Sequence, residues 1–117
     1  MPNPQGFQPG DFLVFQIESG FGLLRVLAID EAANDAVWHL TVYRELFPEI
    51  DYAELAIASP ESLNPEIPHI ALTDRAFEST QVSKLTNIEL SAEELARKEK
   101  WDGHVSDRSV RLQLGLR

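Results

Sequence analysis

Residues 10–29 read GDFLVFQIESGFGLLRVLAI, and the rest of the fold can be predicted outward from them. Two runs rich in aromatic and branched residues, 11–17 and 21–29, lie on either side of a short glycine-containing turn, as in a β-hairpin. Residues 36–43 (AVWHLTVY) form a third such run after a polar turn. The pattern predicts a three-stranded antiparallel meander, with Gly20 and Gly22 supplying the positive backbone angles of the hairpin turn.

The alternation of side chains in the third run predicts which face of the sheet is buried. Trp38, Leu40 and Val42 point to one side of a strand, since successive side chains alternate between the two faces. We expect Trp38 to be the main core residue, with Val14 of the first strand among its neighbours. His39 then belongs to the opposite, more hydrated face.

The second half of the chain carries three weaker signals. Residues 69–73 predict a further strand, and Ser91 followed by Glu94 is a capping box that predicts a helix over residues 92–101. Alternating apolar residues from Val110 to Leu116 predict a half-buried C-terminal strand. The predicted fold is mainly β: a small, partly open antiparallel barrel of SH3-like kind with one short helix. A two-layer α+β sheet is the alternative.

Length and composition favour a single domain over residues 1–117. Residues 1–9 are expected to be a flexible arm. Residues 45–68 contain six acids and four prolines, and they predict an acidic, proline-rich connection at the surface. Within that connection, the periodicity of residues 50–58 is compatible with either a short strand or a helical turn.

The chain has no cysteine, which excludes disulfides, thiolate nucleophiles and cysteine-bound zinc. No apolar run approaches the roughly 20 residues that span a bilayer. The N-terminus has neither a basic region nor an apolar stretch of the kind found in secretory signals. We therefore expect a cytoplasmic protein without a membrane segment.

The net charge of −9 is concentrated in the first half of the chain. Residues 1–66 contain eleven acids against two arginines, whereas residues 67–117 contain eight acids and eight basic residues. Such a charge disfavours binding to nucleic acids and anionic membranes and favours a basic protein partner. The candidate partner-binding residues are Glu45, Glu49, Asp51, Tyr52, Glu54 and Glu61.

Motifs for catalysis and for metal binding are not evident in the sequence. His39, His69 and His104 are far apart in sequence, and no serine elbow or phosphate-binding loop is recognisable. The sequence therefore predicts a protein that is not an enzyme and that carries no metal or cofactor.

Arg25 lies in an otherwise apolar row and has two interpretations. It reaches solvent from an edge position, or it binds an anion or a carboxylate inside a groove. A groove near Arg25 and His39 would indicate a small-molecule-binding protein or a small enzyme, which is the alternative function.

Gly10-Asp11, the apolar strand that follows, the tight turn and then residues 20–27 (GFGLLRVL) resemble the opening of the bacterial immunity protein twenty-six family. The resemblance covers residues 7–30. It implies a cytoplasmic, non-enzymatic protein that binds and neutralises a toxin, often a nuclease. Together with the charge, it favours a non-catalytic protein-binding module, an immunity-type inhibitor that presents an acidic surface to a basic toxin.

Overall fold

The computed structural model describes residues 6–31 and 36–114. Its strands are β1 (Asp11–Ile17), β2 (Gly20–Glu31), β3 (Ala36–Phe47), β4 (Pro65–Thr73) and β5 (Val82–Asn87). Its helices are α1 (Ile50–Ile57), α2 (Asp74–Thr80), α3 (Ala92–Glu99) and α4 (Val110–Gln113), with a 3₁₀ turn at Pro60–Ser62. The described residues thus contain four α-helices where the sequence predicts one.

The five strands form one antiparallel sheet in the order β4-β3-β2-β1-β5. The first three strands are the predicted meander, and β5 pairs with the outer side of β1. The sheet is not closed. The predicted mainly β class, with a partly open antiparallel sheet and minor α-structure, is therefore confirmed.

Helices cover both faces of this sheet, so the molecule has three layers. On one face, α2 and α4 pack through Phe77 and Val110 against a core that contains Trp38. On the opposite face, α1 packs through Ala53 and Ile57 against a second core. The strands supply both cores because their side chains alternate between the faces.

Trp38 is the main core residue, as predicted. It is 2% exposed, and its ring stacks on Phe77 with centroids 3.8 Å apart. Its indole Nε1 donates a hydrogen bond of 2.6 Å to Asp74. Leu40 and Val42 share its core, and these two placements are confirmed.

The predicted contact between Val14 and Trp38 is wrong, because Val14 belongs to the core on the opposite face of the sheet. In β1 the odd residues Leu13, Phe15 and Ile17 face the Trp38 core, and Val14 alternates away from them. The sequence shows that side chains alternate along each strand, but it does not show which alternating set of β1 shares a face with Trp38.

The β1–β2 turn lies at Glu18 and Ser19, just before the two glycines. Gly20 has a φ of 156°, but Gly22 is not among the residues with positive φ, so its predicted role is wrong. Gly22 is paired with Phe15 across the hairpin, and a Cβ at position 22 would clash with the Phe15 ring. Gly22 is therefore required for space rather than for backbone conformation.

The predicted C-terminal strand is wrong over its described part, because residues 110–113 form α4. The Ser109 hydroxyl caps this helix by accepting from the Leu112 N–H. Val110 is buried, and Leu114 packs against the same core. An alternating run also places apolar residues four apart, so one turn of helix buries Val110 and Leu114 together. Residues 115–117 lie outside the described residues.

The segment predicted as an acidic, proline-rich connection, residues 45–68, is mostly regular, and the helical alternative holds for residues 50–57. β3 continues to Phe47, α1 occupies residues 50–57, and β4 begins at Pro65. Ala53 and Ile57, four residues apart, anchor α1 on the second core. The prolines of β4 are tolerated because β4 is an edge strand, where one side of the backbone has no neighbouring strand.

Part of the predicted N-terminal arm is also packed. Phe7 is buried, and its ring meets those of Trp38 and Phe77 edge-on, at centroid distances of 6.4 and 5.8 Å. The arm therefore contributes a core residue at position 7. Residues 1–5 lie outside the described residues.

Candidate functional site

A polar layer lies between α3 and the sheet, and it contains both residues of the predicted groove. The predicted helix exists, with the capping box formed by Ser91 and Glu94. One stripe of the helix and the turn after it then faces polar residues of β2 and β3. The stripe residues are Glu94, Arg97, Lys98 and Trp101, at the spacing that places side chains on one side of a helix.

Arg25 forms the first contact of this layer. It is 1% exposed, and its guanidinium binds both carboxylate oxygens of Glu94, at 2.9 Å from Nε and 3.2 Å from Nη2. It also donates to the carbonyls of Gly10 and Glu89. Burial would raise the pKa of Glu94, but the bonds from Arg25 and Ser91 bring it below its ordinary value. The Glu94 carboxyl group is therefore ionised, and the guanidinium of Arg25 donates to groups of the protein itself.

The two interpretations of Arg25 are thereby separated. The edge position or solvent-reaching side chain is wrong, because Arg25 lies in β2 with a strand on each side and is buried. The carboxylate partner is Glu94, which belongs to the protein itself. Phe12 lies beneath the guanidinium at 4.2 Å, so the cation also packs on an aromatic ring.

His39 forms the second contact, and its predicted hydrated position is wrong. It is 0% exposed, with its Nε2 2.8 Å from Asp30 Oδ2 and its Nδ1 2.9 Å from His69 Nε2. The two imidazole planes are within 17° of parallel, and the rings meet edge to edge through the His39–His69 hydrogen bond, with centroids 5.1 Å apart. Trp101 meets His39 edge-on at 4.7 Å. The face is polar, as the alternation predicts, but α3 and the following turn cover it.

Asp30 joins this histidine pair to α3. Its second carboxylate oxygen accepts from Lys98 Nζ at 3.1 Å. Burial would raise the pKa of Asp30, but the bonds from Lys98 and His39 bring it below its ordinary value. Burial lowers the pKa of His39 in spite of Asp30, and burial together with His39 lowers that of His69. At neutral pH the unit is therefore a carboxylate and two neutral imidazoles.

Two clefts flank the polar layer. One, of about 400 Å³, is lined by Arg25, Tyr43, Glu94 and Arg97 together with the 3₁₀ turn and residues before α3. The other, of about 390 Å³, is lined by Pro68, His69, Arg97, Lys100, Trp101 and Asp102. His39 lines neither of these two clefts. Arg25 and His39 therefore belong to separate side-chain clusters and do not form the one groove that the alternative function requires.

Five of the six predicted partner-binding residues lie on or beside α1. Tyr52 is 54% exposed, and Glu49, Asp51, Glu54 and Glu61 are exposed as well. None of these four carboxylates forms an ion pair with another residue in the described part of the chain. We call the following residues the acidic face: Glu49, Asp51, Tyr52, Glu54, Leu55 and Glu61.

Glu45 differs from the other candidates, because its carboxylate holds the end of β3 to the start of β4. It accepts from the Asn64 backbone N–H at 3.0 Å and from Asn64 Nδ2 at 2.6 Å. Burial would raise the pKa of Glu45, but these bonds bring it below its ordinary value. This residue has a structural role and is not part of the acidic face.

The sequence-based candidates did not include Leu55 on α1, nor the following residues of the polar layer: Asp30, His69, Glu94, Arg97, Lys98 and Trp101. Leu55 is 72% exposed. The only sequence signal for the layer was the capping box, from which the spacing of Glu94, Arg97 and Lys98 predicts one polar stripe. The contact between His39 and His69 has no signal in the local sequence, since it depends on the pairing of β3 with β4.

Among residues 6–31 and 36–114, no group of three or more His, Asp or Glu side chains is placed to hold a metal ion. Nor does that part of the chain contain a helix long and apolar enough to cross a membrane.

No family model matches the chain, and neither a curated protein nor a solved structure matches it.

Proposed function

We propose that this protein is a non-catalytic binding module that docks a basic protein through the acidic face. The proposal rests on the outer side of α1, where Tyr52 and Leu55 are exposed beside carboxylates that form no ion pair within residues 6–31 and 36–114. Exposed aromatic and aliphatic side chains anchor interfaces, and charges around them steer a partner of opposite sign.

The placement of basic residues supports the same partner. Arg25 is buried against Glu94, and Arg44, next to the acidic face in sequence, is paired with Glu66 at 3.2 Å. Residues 45–66 contain no lysine or arginine. The negative charge of Glu49, Asp51, Glu54 and Glu61 is therefore not offset from within this segment. A partner with a basic surface would supply the missing charge.

The resemblance of residues 7–30 to the immunity protein twenty-six family supports a more specific version. In this version the partner is a basic toxin, the protein is its cytoplasmic inhibitor, and binding blocks the toxin without chemistry. The matched residues form β1 and β2, whereas α1 lies outside the matched segment. The resemblance itself therefore supplies no contact residue.

The test compares two double variants with the same change in charge. Tagged wild-type protein captures partners from the native host, and the purified partner is then measured for association rate at rising salt. Glu49→Lys with Asp51→Lys should abolish binding, and Glu18→Lys with Glu78→Lys, exposed elsewhere, should preserve it. The wild-type association rate should fall steeply with salt, because exposed charges are screened beyond a Debye length of about 8 Å at physiological ionic strength.

The proposal is supported if a basic partner binds the wild-type protein and the Glu18→Lys, Glu78→Lys control but does not bind the Glu49→Lys, Asp51→Lys variant. Equal capture by both double variants, or association that does not depend on salt, contradicts it. Circular dichroism must show both variants folded, which is expected because Glu49 and Asp51 are exposed and the Glu49 side chain makes no capping hydrogen bond to α1.

A further inference from the structure

The cleft beside the histidine pair has a character unlike that of the acidic face. Arg97, Lys100 and His69 line it with one acid, Asp102, and Pro68 and Trp101 supply apolar surface. The cleft near Arg25 instead carries four glutamates against two arginines. In a chain with a net charge of −9, a cleft with a basic lining and an aromatic side chain is a separate feature that the proposed function does not use.

The hydrogen bonds of the histidine pair determine where its protons are. The Asp30 carboxylate can only accept, so His39 Nε2 must carry a hydrogen. In neutral His39 the Nδ1 is then an acceptor, so the hydrogen between the rings belongs to His69 Nε2. His69 Nδ1 is left as the unprotonated nitrogen of the unit. This is the atom that a further proton would occupy.

Protonation of this unit adds positive charge where several cations already lie. Lys98 approaches Asp30, and Arg97 and Lys100 line the cleft beside His69. Burial, His39 and Lys98 lower the pKa of His69, while Asp102 opposes them. An anion in the cleft would offset the added charge and would therefore favour protonation.

We propose that this cleft binds a small organic oxyanion attached to a planar ring, and that binding is coupled to uptake of one proton by the His39–His69 pair. The oxyanion lies between Lys100, Arg97 and protonated His69, and the ring packs against Trp101 and Pro68. The proton comes from solvent and resides on His69 Nδ1, so no bond in the ligand is formed or broken. Asp30 remains ionised and stabilises the charged pair through His39.

Arg97 is suited to this role because its position is held by the fold. Its Nη1 donates to Thr41 Oγ1 at 3.1 Å, and its Nη2 donates to Glu93 at 3.1 Å. The cleft lies near the negative end of the α3 dipole, which disfavours an anion. The basic side chains Arg97, Lys98 and Lys100 offset that effect, and the proton on His69 adds to them.

The probe is benzenesulfonate, because its charge does not change over the pH range that titrates histidine. We expect it to bind the protein more tightly at about pH 5.5 than at about pH 8, by a factor that approaches about ten for one unit of pKa shift. Benzenesulfonamide, a neutral molecule of similar shape, should not bind. Nuclear magnetic resonance should show the probe raising the pKa of His69.

Three variants separate the contributions. His69→Gln can still donate to His39 but cannot take up the proton, so its affinity should be independent of pH. Lys100→Gln should weaken binding at both pH values and keep their ratio. His104→Gln removes an exposed histidine outside the cleft and should leave both values unchanged.

Several results would overturn the proposal. They are the absence of saturable benzenesulfonate binding at about pH 5.5, equal binding of benzenesulfonamide, and a pH dependence retained in His69→Gln. If His69→Gln does not fold, the pKa of His69 in the wild-type protein, measured with and without probe, decides: an unchanged pKa contradicts coupling. None of these outcomes depends on the acidic face or on its partner.

Discussion

Arg25 shows how a charged residue is accommodated in an apolar row of a central strand. Its cost of desolvation is offset by a bidentate bond to Glu94, two carbonyl acceptors and the ring of Phe12. Since buried ions are costly unless paired, the arrangement depends on both partners being present. Arg25 thus ties β2 to α3.

Replacement of Arg25 by methionine should destabilise the protein by about 3–5 kcal/mol, because Glu94 would remain as a buried charge without its partner. Urea denaturation measures the change in the free energy of unfolding. Arg44→Met is the control: it breaks the exposed pair with Glu66, and it should cost no more than about 1 kcal/mol. Equal costs for the two variants would show that the Arg25–Glu94 pair contributes no more than a surface pair.

The β1–β2 hairpin shows that an element can be predicted correctly for a partly wrong reason. Gly20 and Gly22 both mark the turn region, but the tight turn is made by Glu18 and Ser19. Gly22 is paired with Phe15 inside the sheet, and the ring of Phe15 occupies the space where a side chain would lie. The glycine therefore contributes to packing between neighbouring strands.

Gly22→Ala should cost about 1–3 kcal/mol, since the added methyl group overpacks a site that the buried Phe15 ring already fills. Thermal and urea unfolding measure the loss. Ser19→Ala, in the exposed turn of the same hairpin, should remain within about 0.5 kcal/mol of wild type. Phe15→Leu in the Gly22→Ala background should recover part of the loss, and no recovery would argue against a clash with the ring.

In the molecule as a whole, the residues that stabilise the fold are different from the residues proposed to bind a partner. Trp38 lies in the core between the sheet and α2, where it stacks on Phe77. Glu54 and Glu61 lie on the outer surface beyond the second core. The fold should therefore depend strongly on the first residue and weakly on the other two.

Trp38→Ala should destabilise the protein by about 3–5 kcal/mol through loss of a large buried side chain. In a domain of marginal stability this loss would unfold much of the population. Glu54→Gln and Glu61→Gln should change stability by no more than about 0.5 kcal/mol. Denaturant titration of the three variants checks the expectation, and an intact Trp38 variant beside unfolded glutamate variants would contradict it.

Local patterns in the sequence were sufficient for the features that depend on neighbouring residues. Runs of aromatic and branched residues predicted β1, β2 and β3, and the capping box of Ser91 and Glu94 predicted the start of α3. The exposure of Asp51, Tyr52 and Glu54 also followed from their polarity. These features are determined by the sequence because the interactions that produce them span only a few residues.

Tertiary structure decided the features that require distant segments to meet. An alternating run at Val110 became a helix because one turn buries Val110 with Leu114 against the Trp38 core. His39 became buried because β4 brings His69 beside it and α3 covers both. Arg25 found its carboxylate 69 positions away in Glu94. Alternation and charge specify that a face is polar, but only the packing of the layers determines whether water or another part of the chain covers it.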